Sequence, residues 1–344
     1  MLNVLLIGPS TKESITDTRW VTAPLGVHYV ASFLNAHGHY AEVYDININE
    51  CSLKNMLFKM DWNIIAFSSQ ESTEEYDLAN IYLAKKLCPN SILVAGGTGA
   101  SLNYSLYFNK SPIDIIVQAE GEYPMLHLCN MLDEKGWDNA PLHTIKGLII
   151  RNRAEVLTPE KYWEIRKCLD VKAMKAQQYW DKTSLLYDNP DYNEINTFRL
   201  YTANYCPMNC AFCTLTRLRK YSTGENVPVI GLGVEQIIIL IKKELDEYKN
   251  CRQIFFVDDD FFIQKKRGLA MSTELLLVIC AIVAVILLRV VLPRTAWFRR
   301  VHIRWLVFKV AWNLHKMKQS LDSYGSPKSK LKRAREAVEG LRAG

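Results

Sequence analysis

The chain has 344 residues and a mass of 39.6 kDa, with 49% hydrophobic and 23% charged residues. That composition excludes a disordered or collagen-like chain, and the length predicts about two domains. Nine cysteines are too sparse for a disulfide scaffold, and the net charge of +6 hides a split: 28 Lys and Arg stand against 32 Asp and Glu up to Ala270, then 14 against 4 from Met271 onward. The balanced first part gives no case for nucleic-acid binding, and so sharp a sign change predicts two parts with different surroundings.

Residues 3–7 (NVLLI) read as a strand ending in the turn Gly8-Pro9-Ser10. The chain enters this apolar run without a basic start, which predicts no secretory signal and a reducing, cytoplasmic setting. Residues 25–36 have helical spacing closed by Gly38, and 42–44 read as a second strand ending at Asp45. Strands follow at 64–67 (IIAF), ending in Ser68-Ser69-Gln70, at 92–95 (ILVA), ending in Gly96-Gly97, and at 115–117, ending in Glu120-Gly121-Glu122. Helices at 74–87 and 125–132 complete the set, and 147–151 (GLIIR) is a further strand-like piece.

Apolar strands alternating with helices predict a parallel sheet covered on both faces. Five such units make an α/β, doubly wound, flavodoxin-like (Rossmann-like) domain over 1–150, with ligands expected at the carboxyl ends of the strands. The dinucleotide fingerprint and the P-loop are both missing. A glycine pair after a late strand instead lets a bulky flat ligand, or its tail, approach the backbone closely. Residues 151–196 are polar, and read as a linker with short helices.

The strongest chemical signal is Tyr205-Cys206-Pro207-Met208-Asn209-Cys210-Ala211-Phe212-Cys213, directly after a strand-like stretch at 197–202. Three thiols at C-x-x-x-C-x-x-C on one loop suit a common metal centre. Structural zinc wants a fourth ligand, but no second C-x-x-C pair exists and no histidine follows until His302. Three ligands on a 4Fe-4S cluster leave one iron open for substrate or cofactor. Zinc completed by Cys251 and a chance cluster of buried thiols are the alternatives. Cys51, Cys88, Cys129, Cys168, Cys251 and Cys280 stand alone in apolar or helical contexts and read as packing residues.

With an aromatic before its last cysteine, this motif resembles the signature of radical S-adenosylmethionine enzymes. The resemblance implies that Cys206, Cys210 and Cys213 ligate a 4Fe-4S cluster whose fourth iron takes S-adenosyl-L-methionine, with Phe212 near the adenine. The first half is similar to the cobalamin-binding domains fused to such enzymes: Pro24-Leu25-Gly26, His37-Gly38-His39, Tyr44-Asp45, Phe67-Ser68-Ser69, Ala95-Gly96-Gly97 and Glu120-Gly121-Glu122 carry the likeness. It implies cobalamin as cofactor, with Ser68, Ser69, Gly96 and Gly97 lining the groove for its nucleotide tail. The cobalt-ligating D-x-H-x-x-G motif is absent, and His28, His37 and His39 read as helix-face or turn residues.

One helix (234–248) and one strand (253–257) follow the cysteine loop. Asp258 and Asp259 end that strand, where the resemblance implies a turn facing S-adenosylmethionine. The resemblance implies that residues 197–267 are the first part of a radical (β/α) barrel, of which at least half is then expected to be missing. The expected chemistry is methyl transfer or a related radical reaction on an unactivated carbon of a small-molecule or lipid-like substrate, with an external electron donor. The rival expectations are a non-catalytic, membrane-attached cobalamin-binding fragment and a zinc-stabilised interaction protein.

Residues 271–344 read differently. Residues 275–292 are apolar except for Arg289, long enough to span a bilayer, and a mixed aromatic and basic stretch at 297–312 suits the membrane interface. The flanking charges would keep the C-terminus inside, which conflicts with a cytoplasmic cysteine domain. Met271-Ser272-Thr273-Glu274-Leu275 reads like the start of a small membrane protein, so a joining of two reading units would account for the charge split.

Overall fold

The computed structural model describes residues 1–9, 22–152, 169–186, 196–203, 206, 210–214, 216–218 and 231–258, all within the unit Met1–Met271. Asp259 and the whole of 271–344 lie outside the described residues, and with them the apolar stretch at 275–292. Among the described residues no helix is long and apolar enough to cross a membrane.

The first part is a six-stranded sheet. Its strands are β1 (Asn3–Ile7), β2 (Tyr40–Tyr44), β3 (Ile64–Ser68), β4 (Ile92–Gly96), β5 (Ile115–Val117) and β6 (Leu148–Ile150), in the order β2-β1-β3-β4-β5-β6. The first five are parallel, and β6 closes the edge antiparallel to β5, with Ile116 opposite Ile149. Successive side chains of a strand face opposite ways. Val4 and Leu6 accordingly join the core cluster that contains Val27, Phe33 and Leu128, while Leu5 and Ile7 join the one that contains Trp62, Ile81 and Tyr107. Helices α1 (Leu25–Ala36) and α6 (Glu122–Asn139) supply the first face. The other is covered by α2 (Leu53–Leu57), α3 (Glu74–Leu87), α4 (Gly97–Leu102) and α5 (Tyr104–Lys110).

The doubly wound parallel sheet agrees with the sequence reading, and the departures from it are local. Helix α6 begins three residues earlier than its apolar pattern and continues through a non-helical Gly136 (φ 68°) to Asn139. Helices α2, α4 and α5 were not legible as helices. They are short, and tertiary contacts hold them: Met56, Leu57, Ala100 and Tyr107 are all buried.

The stretch read as a linker contains α7 (Ala176–Leu186), which packs onto both parts. Tyr179 Oη donates to Asp45 Oδ2 (2.8 Å) and Trp180 Nε1 donates to the Thr197 carbonyl (3.1 Å). Among the described residues, the second part is one β–α–β unit: parallel strands β7 (Thr197–Leu200) and β8 (Gln253–Phe256), with α8 (Val234–Glu247) between them in the chain. Ile237, Leu240 and Ile241 form the buried face of α8 at helical spacing, and Glu244 continues it.

Candidate functional site

A cavity of about 670 Å³ lies at the carboxyl ends of β1 to β5. Its size falls within the range of small-molecule sites, about 300 to 1,000 Å³. The chain order β2-β1-β3 reverses direction at β1, and the crevice at such a switch point is where open α/β sheets bind ligands. Pro24, just before α1, and Leu25 and Val30 of α1 form one side, and Ser68, Ser69, Gln70, Gly96 and Gly97 line the strand ends. Arg199, Tyr201, Ala203 and Val257 reach it from the second part.

Backbone geometry fixes the strand ends. The Ser69 amide donates to the Gly96 carbonyl (2.9 Å), and the Gly99 amide returns to the Ser69 carbonyl (3.0 Å). Gly97 has φ +82°, and a Cβ there would lie 2.6 Å from the Ser69 oxygen, so only glycine fits. A Cβ on Gly99 would meet the Gln70 carbonyl carbon at 2.8 Å. The GGTG sequence is thus the condition for β4 and α4 to close against the end of β3. Gly96 itself has ordinary room.

The four residues expected to line the groove, Ser68, Ser69, Gly96 and Gly97, all border this cavity. Ser69 is fully buried, and its hydroxyl belongs to a wall network: Oγ donates to Asp77 Oδ2 (2.6 Å) and pairs with the Tyr107 hydroxyl, and Thr73 Oγ1 also donates to Asp77 Oδ2 (2.6 Å). Burial pushes the Tyr107 phenol up to about 12. Ser68 is half-buried. Ala119, at φ +64°, also lines the cavity, with its amide donating to Ser101 Oγ (3.2 Å). An alanine in the left-handed region is strained, and such strain concentrates at ligand sites.

No histidine lines the cavity among the described residues. His28 is buried on α1, His37 Nδ1 bonds the Phe33 carbonyl (2.7 Å), and His39 Nε2 bonds Asn130 Oδ1 (2.8 Å).

None of the three cysteines lines the cavity, although Leu218, just beyond the loop, does. Cys206, Cys210 and Cys213 are half-buried, and the Cys213 amide donates to the Cys210 carbonyl (3.1 Å) in a turn that leaves Phe212 90% exposed. No group of three His, Cys, Asp or Glu side chains is gathered to hold a metal among the described residues. Asp258 closes the exit of β7: Oδ1 accepts from the amides of Thr202 (2.5 Å) and Ala203 (2.8 Å), and Oδ2 from the Thr202 hydroxyl. The isolated thiols are packing groups where described, with burial raising Cys129 to about 12 and Cys251 to about 11.

Asp45 and Gln70, read as strand ends, line the cavity, and Arg199 and Tyr201 line it although they were not among the residues expected to form the site. The usable signal for Arg199 and Tyr201 was their alternation with buried Phe198 and Leu200 along β7.

Residues 17–129 match the B12 binding domain family. No curated protein matches the sequence. Among solved structures, the cobalamin-dependent S-adenosylmethionine radical enzyme OxsB, with aqua-cobalamin and S-adenosylmethionine bound, superposes with a TM-score of 0.62 at 17% identity, over 80% of this chain and 37% of that one. The radical S-adenosylmethionine methyltransferase TsrM from Kitasatospora setae, with tryptophan substrate and a S-adenosylmethionine analogue bound, superposes with a TM-score of 0.58 at 14% identity, over 80% of this chain and 51% of that one. The chain thus spans between a third and about half of the length of these structures. Residues 17–129 of its first part are thus similar to the B12 binding domain family, and its fold resembles that of these radical S-adenosylmethionine enzymes.

Proposed function

We propose that the cavity at the strand ends binds cobalamin, and that the chain works in radical S-adenosylmethionine chemistry, with methyl transfer or a related reaction on an unactivated carbon as its outcome. The observation that carries this reading is the glycine-closed crevice at the switch point of a sheet matching the B12 binding domain family. The residues present suit a corrinoid: an apolar side from α1 would meet the flat face of the macrocycle, and Ser68, Gln70 and Thr98 offer polar groups for its amides. No described residue of the cavity would ligate cobalt, so cobalamin would be held by shape and hydrogen bonds.

Cys206, Cys210 and Cys213 have the donor chemistry of a 4Fe-4S cluster, and would hold it with one iron left open. Such a cluster would pass an electron from an external donor to S-adenosyl-L-methionine, the chemistry that cleaves it. Asp258 anchors the backbone of Thr202 and Ala203, three residues before Cys206, and so sets where the loop leaves β7. Phe212 and Asp259 are proposed to face S-adenosylmethionine. An electron donor, a small-molecule or lipid-like substrate and membrane attachment through 275–292 of a cytoplasmic domain belong to the same proposal.

A second reading is favoured by one observation. Among the described residues the three thiols of the cysteine loop are not gathered at one centre. A chain so built would bind cobalamin without cleaving S-adenosylmethionine. Anaerobic reconstitution with iron and sulfide, followed by assay for 5′-deoxyadenosine, separates the two. Product from the wild type and none from Cys210→Ala supports the catalytic reading. Cobalamin uptake without cluster or product supports the second.

A further inference from the structure

Strand β7 has alternating burial: Phe198 and Leu200 face the protein interior, and Arg199 points the other way, half-buried. The two-residue period carries Arg199 and Tyr201 to the same side, and both line the 670 Å³ cavity together with Val257. The guanidinium lies 5.6 Å over the ring of Phe255, which satisfies one face of the cation. No carboxylate pairs with it among the described residues, although Glu120 and Glu122 line the same cavity. Burial lowers its pKa below the ordinary arginine value.

A half-buried cation without a counter-ion is costly, and a protein compensates such a charge by pairing it. The guanidinium has a planar fork of five donors that fits a carboxylate or a phosphate through two parallel hydrogen bonds. We infer that Arg199 is an oxyanion-recognising residue of this cavity, taking a phosphate or carboxylate of the molecule bound there. The inference rests on the cofactor reading above. Two sources of the oxyanion fit that reading: the phosphodiester of the cobalamin tail and the methionyl carboxylate of S-adenosylmethionine.

The test measures dissociation constants on the full chain for two matched pairs of ligands. Hydroxocobalamin is compared with cobinamide, which has no nucleotide phosphate. S-adenosylmethionine is compared with 5′-methylthioadenosine, which has no carboxylate. Arg199→Gln is expected to weaken binding of the oxyanion-bearing member of one pair by about 10- to 100-fold, the scale of a charge-assisted hydrogen-bonded pair. The member that lacks the oxyanion is expected to change by less than about 3-fold, and Arg199→Lys to recover part of the loss. The pair that responds names the source. Equal losses within both pairs, or none, overturn the inference and leave cobalamin binding standing. A wild-type chain that binds none of the four ligands overturns the cofactor reading and this inference together. Thermal melts of both variants separate a lost contact from a lost fold.

Discussion

The phenol of Tyr179 donates a 2.8 Å hydrogen bond to Oδ2 of Asp45 across 134 residues of chain. It fastens α7 to the end of β2, at the rim of the cavity. The other Asp45 oxygen accepts from the Asn47 amide (2.9 Å) and side chain (2.8 Å), so the carboxylate is fully engaged though buried. Burial raises its pKa above the usual carboxylate range, and the bonds from Asn47 and Tyr179 oppose that. Tyr179→Phe deletes one of these bonds and leaves a buried acceptor unsatisfied. Urea unfolding is expected to show a loss of about 1 to 3 kcal/mol, with no change in the slope of the transition.

Gly97 and Gly136 both have positive φ, but only Gly97 is crowded. Gly97→Ala brings a Cβ to within 2.6 Å of the Ser69 oxygen, so the end of β3 must shift. Gly136→Ala meets nothing within 4 Å and carries only the conformational penalty. Thermal unfolding is expected to place the Gly97 variant about 2 to 4 kcal/mol below the wild type and the Gly136 variant, strained but uncrowded, about 1 to 2 kcal/mol below. Equal costs would mean that β4 and β3 do not meet as described.

Much of this fold was legible because the apolar strands and α1 have strong periodicity, and α1 spans 25–36 as the sequence predicts. The direction of β6 was not legible, since three apolar residues carry no signal for parallel or antiparallel pairing. Gly96-Gly97 reads only as a strand end, yet Gly97 opens α4, because packing of Ala100 outweighs the low helix propensity of glycine. Ser68, Ser69, Gly96 and Gly97 were named from the resemblance to cobalamin-binding domains, and they border the cavity because they end β3 and β4. Arg199 and Tyr201 were missed because they come from a distant strand, and only the docking of the two parts brings them to the cavity.

His28 and Glu244 predict opposing pH effects on stability. His28 is buried with Nε2 unpartnered, and burial first, then Lys175, lowers its pKa to about 4, with Asp170 opposing. Its native state binds fewer protons than the unfolded chain, so this group removes stability as pH falls from about 6.5 to 4. Glu244 is buried on α8 with both oxygens unpartnered, and burial, then Glu247, raises it to about 8. Its native state binds more protons, so it removes stability as pH rises from 4.5 to about 8. The two offset each other between pH 4.5 and 6.5. Above 6.5 only Glu244 acts, and stability is expected to fall towards pH 8. Glu244→Leu is expected to abolish that fall and to stabilise the chain at pH 8 by about 2 to 4 kcal/mol. His28→Leu is expected to remove the loss on acidification.

Asp258 links the end of β8 to the residues that precede the cysteine loop. Asp258→Ala leaves the amides of Thr202 and Ala203 without this acceptor. Denaturant unfolding is expected to show a cost of about 1 to 3 kcal/mol. Under the catalytic reading, iron uptake on reconstitution is expected to fall as well, while cobalamin binding in the first part is unchanged. A variant that loses both cofactors equally would place Asp258 in the general fold and not in the loop.

The most direct test of the account is a titration of the full chain with hydroxocobalamin, followed in the visible spectrum and by retention of colour on gel filtration. The account predicts saturable binding of one equivalent, lost in Ser68→Trp, which fills the cavity while the protein stays folded by circular dichroism. A chain that stays colourless, or a Ser68→Trp variant that binds as the wild type does, would contradict the assignment of this cavity to cobalamin.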